Sequence, residues 1–238
     1  APAPKVTGDV YAGPLNKYLF RGNDLSGGKW VVQGGVDLYY QNWSFGYWTN
    51  YQGKADNELG IVRGVTETDI YLEYDFSPSD LMTLAVGNNL YSFDGTTTNE
   101  LYLKSKLNTI LSPTLTAYWD WDKANGDGLF FSASVSHEME LVPSLLSMTV
   151  GALASYNQYN NNAATNVNYD PALGDDIFDG AYSGFHNYEL SAKLDYKPTS
   201  YLTITPSYLY SDALSSKAKD VAGIKEQHLF SLKATLAF

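Results

Sequence analysis

The chain ends in a segment whose side chains alternate in polarity. In the last eleven residues, HLFSLKATLAF, apolar residues from Phe230 to Phe238 share one face of an extended strand, while Ser231, Lys233 and Thr235 lie on the other. A strand of this kind that finishes the chain on an aromatic residue is typical of the closing strand of an outer-membrane β-barrel. The last strand of a soluble β-sandwich can alternate in the same way, so the rest of the chain must decide between them.

Composition limits how such a chain can meet a membrane. It contains 20 Tyr, 5 Trp and 10 Phe. Tyr and Trp favour the membrane interface because they combine an apolar body with a polar tip. The apolar runs are only a few residues long, far short of the ~20 that a transmembrane helix needs. If this chain spans a membrane, it must therefore do so as a closed barrel.

Charge and the absence of cysteine exclude several classes of function. The net charge is -11, and no basic stripe is present to neutralise phosphates, so no nucleic-acid partner is expected. With Cys 0, disulfides and thiolate metal sites are excluded. No phosphate-binding Gly loop, zinc spacing or dinucleotide fingerprint occurs, so no cofactor is expected. The start APAP resembles what remains after cleavage at a small-residue site, which predicts an exported, mature chain.

Period-two alternation recurs along the chain and predicts several long strands. Their apolar faces repeatedly begin and end in Tyr, Trp or Phe, which is the aromatic-girdle pattern of membrane barrels. Many are longer than the ~5–6 residues usual in globular proteins. The clearest of them are 69–76, 81–93, 100–108, 115–122, 129–141 and 187–196.

Two of the predicted strands are irregular. In 81–93, the pair Asn88-Asn89 interrupts the alternation, so a bulge is expected there. The first strand, near 6–21, contains Gly13 and Pro14, which predict a strand that is kinked or partly inside the barrel.

The connections between strands alternate in character, which is the layout of periplasmic turns and extracellular loops. Short turns, most of them with Pro, stand at 41–42, 77–80, 112–113, 142–144 and 197–200. Connections that are longer or richer in Gly, Asn and Asp stand at 22–29, 52–63, 95–98, 123–128, 159–182 and 211–225. This pattern predicts an all-β chain, a transmembrane antiparallel barrel of the outer-membrane type with about 12 strands and both termini periplasmic. Ten or fourteen strands remain alternatives. The barrel would be a single domain over 1–238, with long extracellular loops near 52–63, 159–182 and 211–225.

The N-terminal stretch 17–50 carries a family resemblance. Its aromatic Tyr18, the Phe-Arg-Gly at 20–22, the Leu-Ser-Gly at 25–27 and the Gln-Gly-Gly-Val-Asp at 33–37 resemble the pattern of the TorF-like family of bacterial outer-membrane porins. The resemblance covers the first fifth of the chain, and beyond it only the general barrel character is shared. It implies an outer-membrane barrel with a channel role, and it offers no substrate or catalytic residues to carry over.

If the apolar faces meet lipid, the polar faces line the lumen. Charged residues inside a narrow barrel are rarely unpaired, so cross-barrel ion pairs are expected. They either brace a plugged interior or form a charged constriction that selects solutes by charge and size. Because acids outnumber bases, a weak cation preference follows as a hypothesis. The candidate pore-lining residues are Arg21, Lys104, Lys106, Lys193, Lys233, Asp69, Glu73, Glu100, Asp120, Glu138 and Glu189.

Other chemistry has weaker support. His137 and His186 each adjoin a polar residue, but a Ser–His catalytic site needs side chains that converge, and neighbours on a strand point to opposite faces. No catalytic residue is therefore predicted. The acidic loop 159–182 could bind Ca²⁺, although its spacing matches no EF-hand and a solvated loop explains it better. The weak calcium candidates are Asp170, Asp175, Asp176 and Asp179.

The leading hypothesis is a non-enzymatic outer-membrane channel for passive diffusion of small polar or charged solutes. A barrel of this strand number has a narrow interior, which favours selective uptake over general permeation. The alternative is a non-conducting structural or surface-interaction barrel, closed by lumen ion pairs and by loop 159–182. The expected location is the bacterial outer membrane. The expected partners are outer-membrane lipid, lipopolysaccharide and small polar solutes or ions.

Overall fold

The structure is a computed structural model that describes residues 5–54, 63–93, 96–122, 128–158 and 182–238. In this part of the chain, twelve antiparallel strands form one closed barrel. A hairpin of two two-residue strands and a short helix lie outside the barrel sheet. The predicted fold class is therefore confirmed. The elements are β1 (Thr7–Leu15), β2 (Leu19–Phe20), β3 (Asn23–Asp24), β4 (Val31–Tyr40), β5 (Trp43–Gln52), β6 (Gly64–Ser79), β7 (Met82–Phe93), β8 (Thr96–Leu107), β9 (Thr114–Asp120), β10 (Leu129–Val142), β11 (Leu146–Gln158), β12 (Ser183–Tyr196), β13 (Leu202–Ala213), α1 (Ser216–Asp220) and β14 (Gln227–Ala237).

The last strand closes the barrel against the first. β14 pairs with β1, and the backbones of Gly8 and Phe238 exchange hydrogen bonds of 3.0 and 2.9 Å. At Gly13 a Cβ atom would lie 2.0 Å from the carbonyl oxygen of Leu232, so only glycine permits this approach of the two backbones. The Gly13-Pro14 pair thus belongs to the closing seam, and the first strand ends at Leu15, earlier than predicted.

The outer surface of the barrel is apolar. Leu115 is 64% exposed, and Leu72, Leu103, Leu190 and Leu232 are exposed with it on the outward face of their strands. Soluble monomers rarely expose a continuous apolar surface of this kind, whereas the lipid-facing band of a membrane barrel requires it. The alternation read from the sequence therefore separates lipid-facing from lumen-facing residues.

The two ends of the barrel differ. The ends of β4, β6, β8, β10 and β12 are joined to the next strand by short connections. The start of β1 and the end of β14 lie at the same end of the barrel, which we call the turn end. The opposite end, here called the loop end, carries residues 16–30 and the helix α1. Among the described residues, no helix is long and apolar enough to cross a membrane.

Several element boundaries differ from the prediction. β6 continues through Pro78 to Ser79, because a register shift between Phe76 and Ser79 removes the need for a ladder hydrogen bond at proline. The bulge predicted at Asn88-Asn89 is absent. Both residues keep continuous register with β6 and β8, and Asn88 faces outward, where it accepts a hydrogen bond from the Trp121 indole at 3.1 Å.

Candidate functional site

Residues 16–30 fold into the loop end of the bore, and we call them the inward segment. Their hairpin β2–β3 turns at Arg21 and Gly22, with φ of 49° and 82°. Two consecutive positive φ values are the requirement of a type I′ turn, which Gly at the second position satisfies. The Asp24 carboxylate accepts hydrogen bonds from the backbone N–H groups of Ser26 (2.9 Å) and Gly28 (2.8 Å), and this fixes the return of the chain. The sequence indicated a loop at 22–29, and its inward fold is a new finding.

Arg21 reaches the opposite wall of the barrel. The β1–β4 pair, from which the inward segment departs, lies across the barrel from β9 and β10. The guanidinium lies 4.1 Å from the ring centroid of Phe130 on β10 and 4.9 Å from that of Tyr118 on β9. The segment therefore crosses the bore from one wall to the other.

A buried ion pair anchors this crossing. Arg21 Nη2 lies 2.8 Å from Glu100 Oε2 and 2.9 Å from Oε1, and the two side chains are 8% and 0% exposed. The Tyr91 hydroxyl donates a further 3.0 Å hydrogen bond to Glu100. Burial acts to lower the pKa of Arg21, but the adjacent Glu100 carboxylate, together with Tyr91 and Tyr118, outweighs it, and the pKa of Arg21 is raised. The guanidinium is therefore charged at every physiological pH.

His186 holds the backbone of the same turn. Its Nε2 lies 2.9 Å from the Arg21 carbonyl oxygen, and its Nδ1 contacts the Tyr182 hydroxyl. A carbonyl can only accept, so Nε2 carries the proton and Nδ1 accepts from Tyr182. His186 and Asn187 are both buried because β12 places these two residues opposite the single Ser155 of β11, which is a β-bulge.

The bulge removes the geometric argument against a Ser–His pair here, but the contacts do not form one. The Ser155 hydroxyl hydrogen-bonds to Asn187, whereas His186 contacts Tyr182 and Arg21. Asn187 also donates to Ser211 at 3.2 Å and to Glu189 at 3.0 Å. These groups satisfy one another and brace the wall against which the inward segment rests.

Tyr18 anchors the near side of the inward segment. Its ring packs against Trp48 of β5 with centroids 5.6 Å apart, and it lies beside Glu67 and Asp69 of β6. Burial, followed by the Glu67 carboxylate, raises the pKa of the Tyr18 hydroxyl well above its ordinary value, so this group stays a donor. The Gln52 amide adds a 3.2 Å hydrogen bond to the Ser26 carbonyl.

Two tyrosines on the inner wall reach across a glycine to a carboxylate. Tyr71 of β6 crosses Gly46 of β5 and donates to Asp37 of β4 at 3.0 Å. Tyr102 of β8 crosses Gly87 of β7 in the same way and donates to Glu73 of β6 at 2.8 Å. In both cases a Cβ on the glycine would collide with the ring, at 1.9 Å for Gly46 and 2.4 Å for Gly87. Glycine at these two positions leaves the space that the tyrosine rings occupy.

Lys104 and Glu73 form a second ion pair in the bore. Their Nζ and Oε2 atoms are 2.7 Å apart, with side chains 36% and 13% exposed. The pair borders a cavity of about 320 Å³ whose wall also includes Tyr71, Tyr102 and Tyr118. Because Tyr118 contacts Arg21 as well, this cavity adjoins the inward segment.

Charges nearer the turn end are more exposed. Lys193 pairs with Asp195 on the same strand face at 2.8 Å, and its side chain is 47% exposed. Lys233 lies 5.2 Å from the Tyr11 ring centroid, and Asp9 accepts a 3.2 Å hydrogen bond from Tyr39. Glu138 borders a cavity of about 270 Å³ with Glu140 and Lys197.

The structure thus brings together some of the candidate residues. Arg21 meets Glu100 and Lys104 meets Glu73, while Lys193, Lys233 and Glu138 lie apart from both pairs. Asp69 adjoins Tyr18, and Lys106 follows Lys104 on the inner face of β8. Glu189 accepts a hydrogen bond from Asn187, and Asp120 accepts one from Thr98 at 2.7 Å. The four calcium candidates lie outside the described residues, and within those residues no group of three or more His, Cys, Asp or Glu is placed to hold a metal.

Sequence reasoning missed several residues of this site. Tyr18, Tyr91 and His186 are absent from the pore-lining candidates, although each contacts Arg21, Glu100 or a neighbouring carboxylate. Tyrosine is typical of the membrane interface, and the tyrosines that face inward cannot be told by residue type from those that face lipid. Only the phase of the alternation separates the two groups.

Comparisons with known proteins support the fold. No protein-family model matches the chain, and no curated protein matches it. Among solved structures, the NanC porin matches with a TM-score of 0.59 at 13% identity, over 96% of this chain and 98% of that one. The KdgM porin in complex with disordered oligogalacturonate matches with 0.57 at 10%, over 97% and 99%. The COG4313 outer membrane channel from Pseudomonas putida F1 matches with 0.56 at 12%, over 100% and 97%.

The chain has the barrel fold of these outer-membrane porins and channels. At such low identity the likeness shows the fold alone. The resemblance to the TorF-like family stays a prediction.

Proposed function

We propose that this chain is an outer-membrane channel for passive diffusion of small polar or charged solutes through a narrow, charged lumen, and that it is not an enzyme. The observation that carries this proposal is a closed barrel whose outward faces are apolar and whose inward faces carry ion pairs and buried polar groups. A barrel that served only as a scaffold could fill its interior with apolar side chains. The turn end would face the periplasm, with both termini, and the loop end would face outward, in contact with lipopolysaccharide.

The charge balance of the inner wall supports a weak cation preference. Lys104 and Lys193 are each neutralised by a carboxylate 2.7 or 2.8 Å away. Asp9 and Asp37 instead accept hydrogen bonds from tyrosine hydroxyls, which leave their negative charge in place. An inner wall on which acids outnumber bases, and on which Lys104 and Lys193 are already neutralised by carboxylates, attracts cations.

Conductance tests the proposal directly. Purified protein in a planar bilayer under a KCl gradient should show discrete current steps and a reversal potential of the sign that cation preference gives. Asp37→Asn should reduce that preference, because it removes one charge from the inner wall. Asp80→Asn, a matched change in the turn between β6 and β7, should leave it nearly unchanged. Anion preference in the wild type would contradict the charge argument.

A second candidate is a non-conducting barrel, and one observation favours it. The inward segment crosses the bore, and three contacts anchor it there. Arg21 forms the buried ion pair with Glu100 of β8 and lies over the Phe130 ring of β10, and its carbonyl oxygen is hydrogen-bonded to the His186 side chain of β12. The loop first expected to close the barrel, 159–182, lies almost entirely outside the described residues. The closing element in this candidate is therefore the inward segment.

Removal of the anchor separates the two candidates. If the barrel is closed, the wild-type protein shows no current steps in the bilayer. The double variant Arg21→Ala/Glu100→Ala then produces current steps, because the inward segment loses the ion pair that anchors it in the bore. The double variant Lys193→Ala/Asp195→Ala removes an ion pair nearer the turn end and serves as control. Steps of equal size in wild type and in both double variants would exclude the closed barrel.

A further inference from the structure

The cavity beneath the inward segment has a lining with no net charge. Its two charged groups, Glu73 and Lys104, neutralise each other at 2.7 Å. A cation in this cavity would compete with Lys104 for Glu73, and an anion would compete with Glu73 for Lys104. Either would have to separate a partly buried pair, which is unfavourable because one partner is left uncompensated.

The pair nevertheless has hydrogen-bonding capacity that a neutral group can use. Glu73 Oε2 receives both Lys104 and the Tyr102 hydroxyl, at 2.7 and 2.8 Å. A lysine ammonium has three donors and a carboxylate about four acceptor positions, so further positions remain on both groups. A hydroxyl group donates and accepts at once, so it can join the pair as a third member without breaking it. Asn89 adds an amide to the same wall.

Aromatic rings form the remaining side of the cavity. The rings of Tyr102 and Tyr118 lie 5.8 Å apart at 44°, and Tyr71 completes the wall. The face of an aromatic ring carries partial negative charge and attracts weakly positive C–H groups. A saturated ring whose edge carries hydroxyls and whose face carries C–H groups satisfies both parts of this lining.

From this lining we infer that the cavity is a binding site for neutral polyhydroxylated solutes of the size of one six-membered sugar ring. Its volume of about 320 Å³ is that of roughly ten water molecules in the liquid, enough for one such ring and a few waters. The solute stacks on Tyr118 and Tyr102 and hydrogen-bonds to the Glu73–Lys104 pair. The inference rests on the proposed channel function, because it names the class of solute that the bore selects.

Binding can be measured without conductance. Saturation-transfer NMR on folded protein, in a zwitterionic detergent that has no sugar headgroup, should show transfer from aromatic protons of the protein to the ring protons of methyl α-D-glucoside. Choline chloride serves as the cationic probe and sodium glucuronate as the anionic probe, and each should show at least threefold less saturation transfer than the glucoside. Absence of transfer to the glucoside, or stronger transfer to a charged probe, overturns the inference.

Variants locate the site. Tyr118→Leu should lower transfer to the glucoside at least threefold, and Tyr118→Phe, which keeps the ring, should preserve it. Glu73→Gln/Lys104→Met, which removes both charges together, should lower it at least fivefold. Tyr11→Leu, a tyrosine of the inner wall outside the cavity lining, is the matched control and should have no effect. Equal loss in Tyr11→Leu and Tyr118→Leu would assign the transfer to another surface.

The two proposals can fail separately. A protein that conducts KCl but shows no transfer to the glucoside retains the channel function and loses this site. A protein that binds the glucoside at Tyr118 but shows no current retains the site and loses passive diffusion. Heat-dependent gel mobility of each variant verifies that the barrel is folded before either result is interpreted.

Discussion

The loop end and the turn end of the bore use the same kinds of contact in different surroundings. Arg21–Glu100 and Lys193–Asp195 are both 2.8 Å pairs, yet Glu100 is fully buried and the Lys193 side chain is 47% exposed. A carboxylate also receives a tyrosine hydroxyl at each end, Glu100 from Tyr91 and Asp9 from Tyr39. Two ion pairs of equal length therefore differ in how far water and salt screen them. The buried contacts at the loop end fix the side chains in one arrangement, whereas the charged side chains at the turn end stay accessible to water and ions.

The largest expected difference concerns the two ion pairs. Arg21→Ala leaves Glu100 buried without its partner and should destabilise the protein by about 3–5 kcal/mol. Lys193→Ala exposes Asp195 to solvent and should cost less than about 1 kcal/mol. Urea midpoints in detergent micelles provide the comparison. Equal shifts for the two variants would show that burial does not distinguish the two ends.

A second test addresses the tyrosines that cross a glycine. Gly87→Ala places a Cβ 2.4 Å from Tyr102 and 2.8 Å from the Leu72 carbonyl, so the ring must move and its hydrogen bond to Glu73 is lost. The expected cost is about 1–3 kcal/mol. In Gly151→Ala the closest atom is the rotatable Ser191 hydroxyl at 2.9 Å, and the cost should be smaller. The same unfolding measurement tests this order, and a loss of stability in Gly87→Ala no larger than that in Gly151→Ala would contradict the argument.

Removing one hydroxyl from each end gives a finer comparison. Tyr91→Phe deprives the buried Glu100 of a 3.0 Å donor and should cost about 1–2 kcal/mol. Tyr39→Phe deletes a 3.2 Å hydrogen bond in exposed surroundings and should cost less than about 0.5 kcal/mol, since water replaces the donor. Thermal unfolding of both variants should show this order, and the reverse order would contradict the assigned burial.

The smallest expected effect is on selectivity. Lys193→Gln leaves Asp195 with its Thr205 hydrogen bond and makes the net charge near the turn end more negative by one unit. The reversal potential under a KCl gradient should shift by a few millivolts toward cations, and the shift should shrink at high salt because the group is screened. Asp195→Asn should shift it the other way. Shifts of equal sign for the two variants would exclude a role in selectivity.

Much of the fold could be predicted because its signal is local. Twelve strands could be located from the alternation, which is clear along β10, β12 and β14, and from the Pro-containing turns. Successive side chains in a strand point to opposite faces, so the local sequence of each strand separates its inner from its outer face. The candidate site was predicted only as a set of inward charges. Ion pairs were expected, but which residues pair was not predicted, because Arg21 and Glu100 are 79 residues apart and Arg21 and His186 are 165 apart.

The sequence by itself therefore determined a barrel with an apolar exterior and a charged interior, because side-chain direction in a strand follows from position alone. The tertiary structure decided which tyrosines line the bore, that a bulge turns His186 and Asn187 inward together, and that residues 16–30 enter the loop end. Those features depend on partners that only barrel closure brings together. The physical reason is that an inward loop is stable only where the opposite wall offers a buried carboxylate and aromatic rings to receive its arginine.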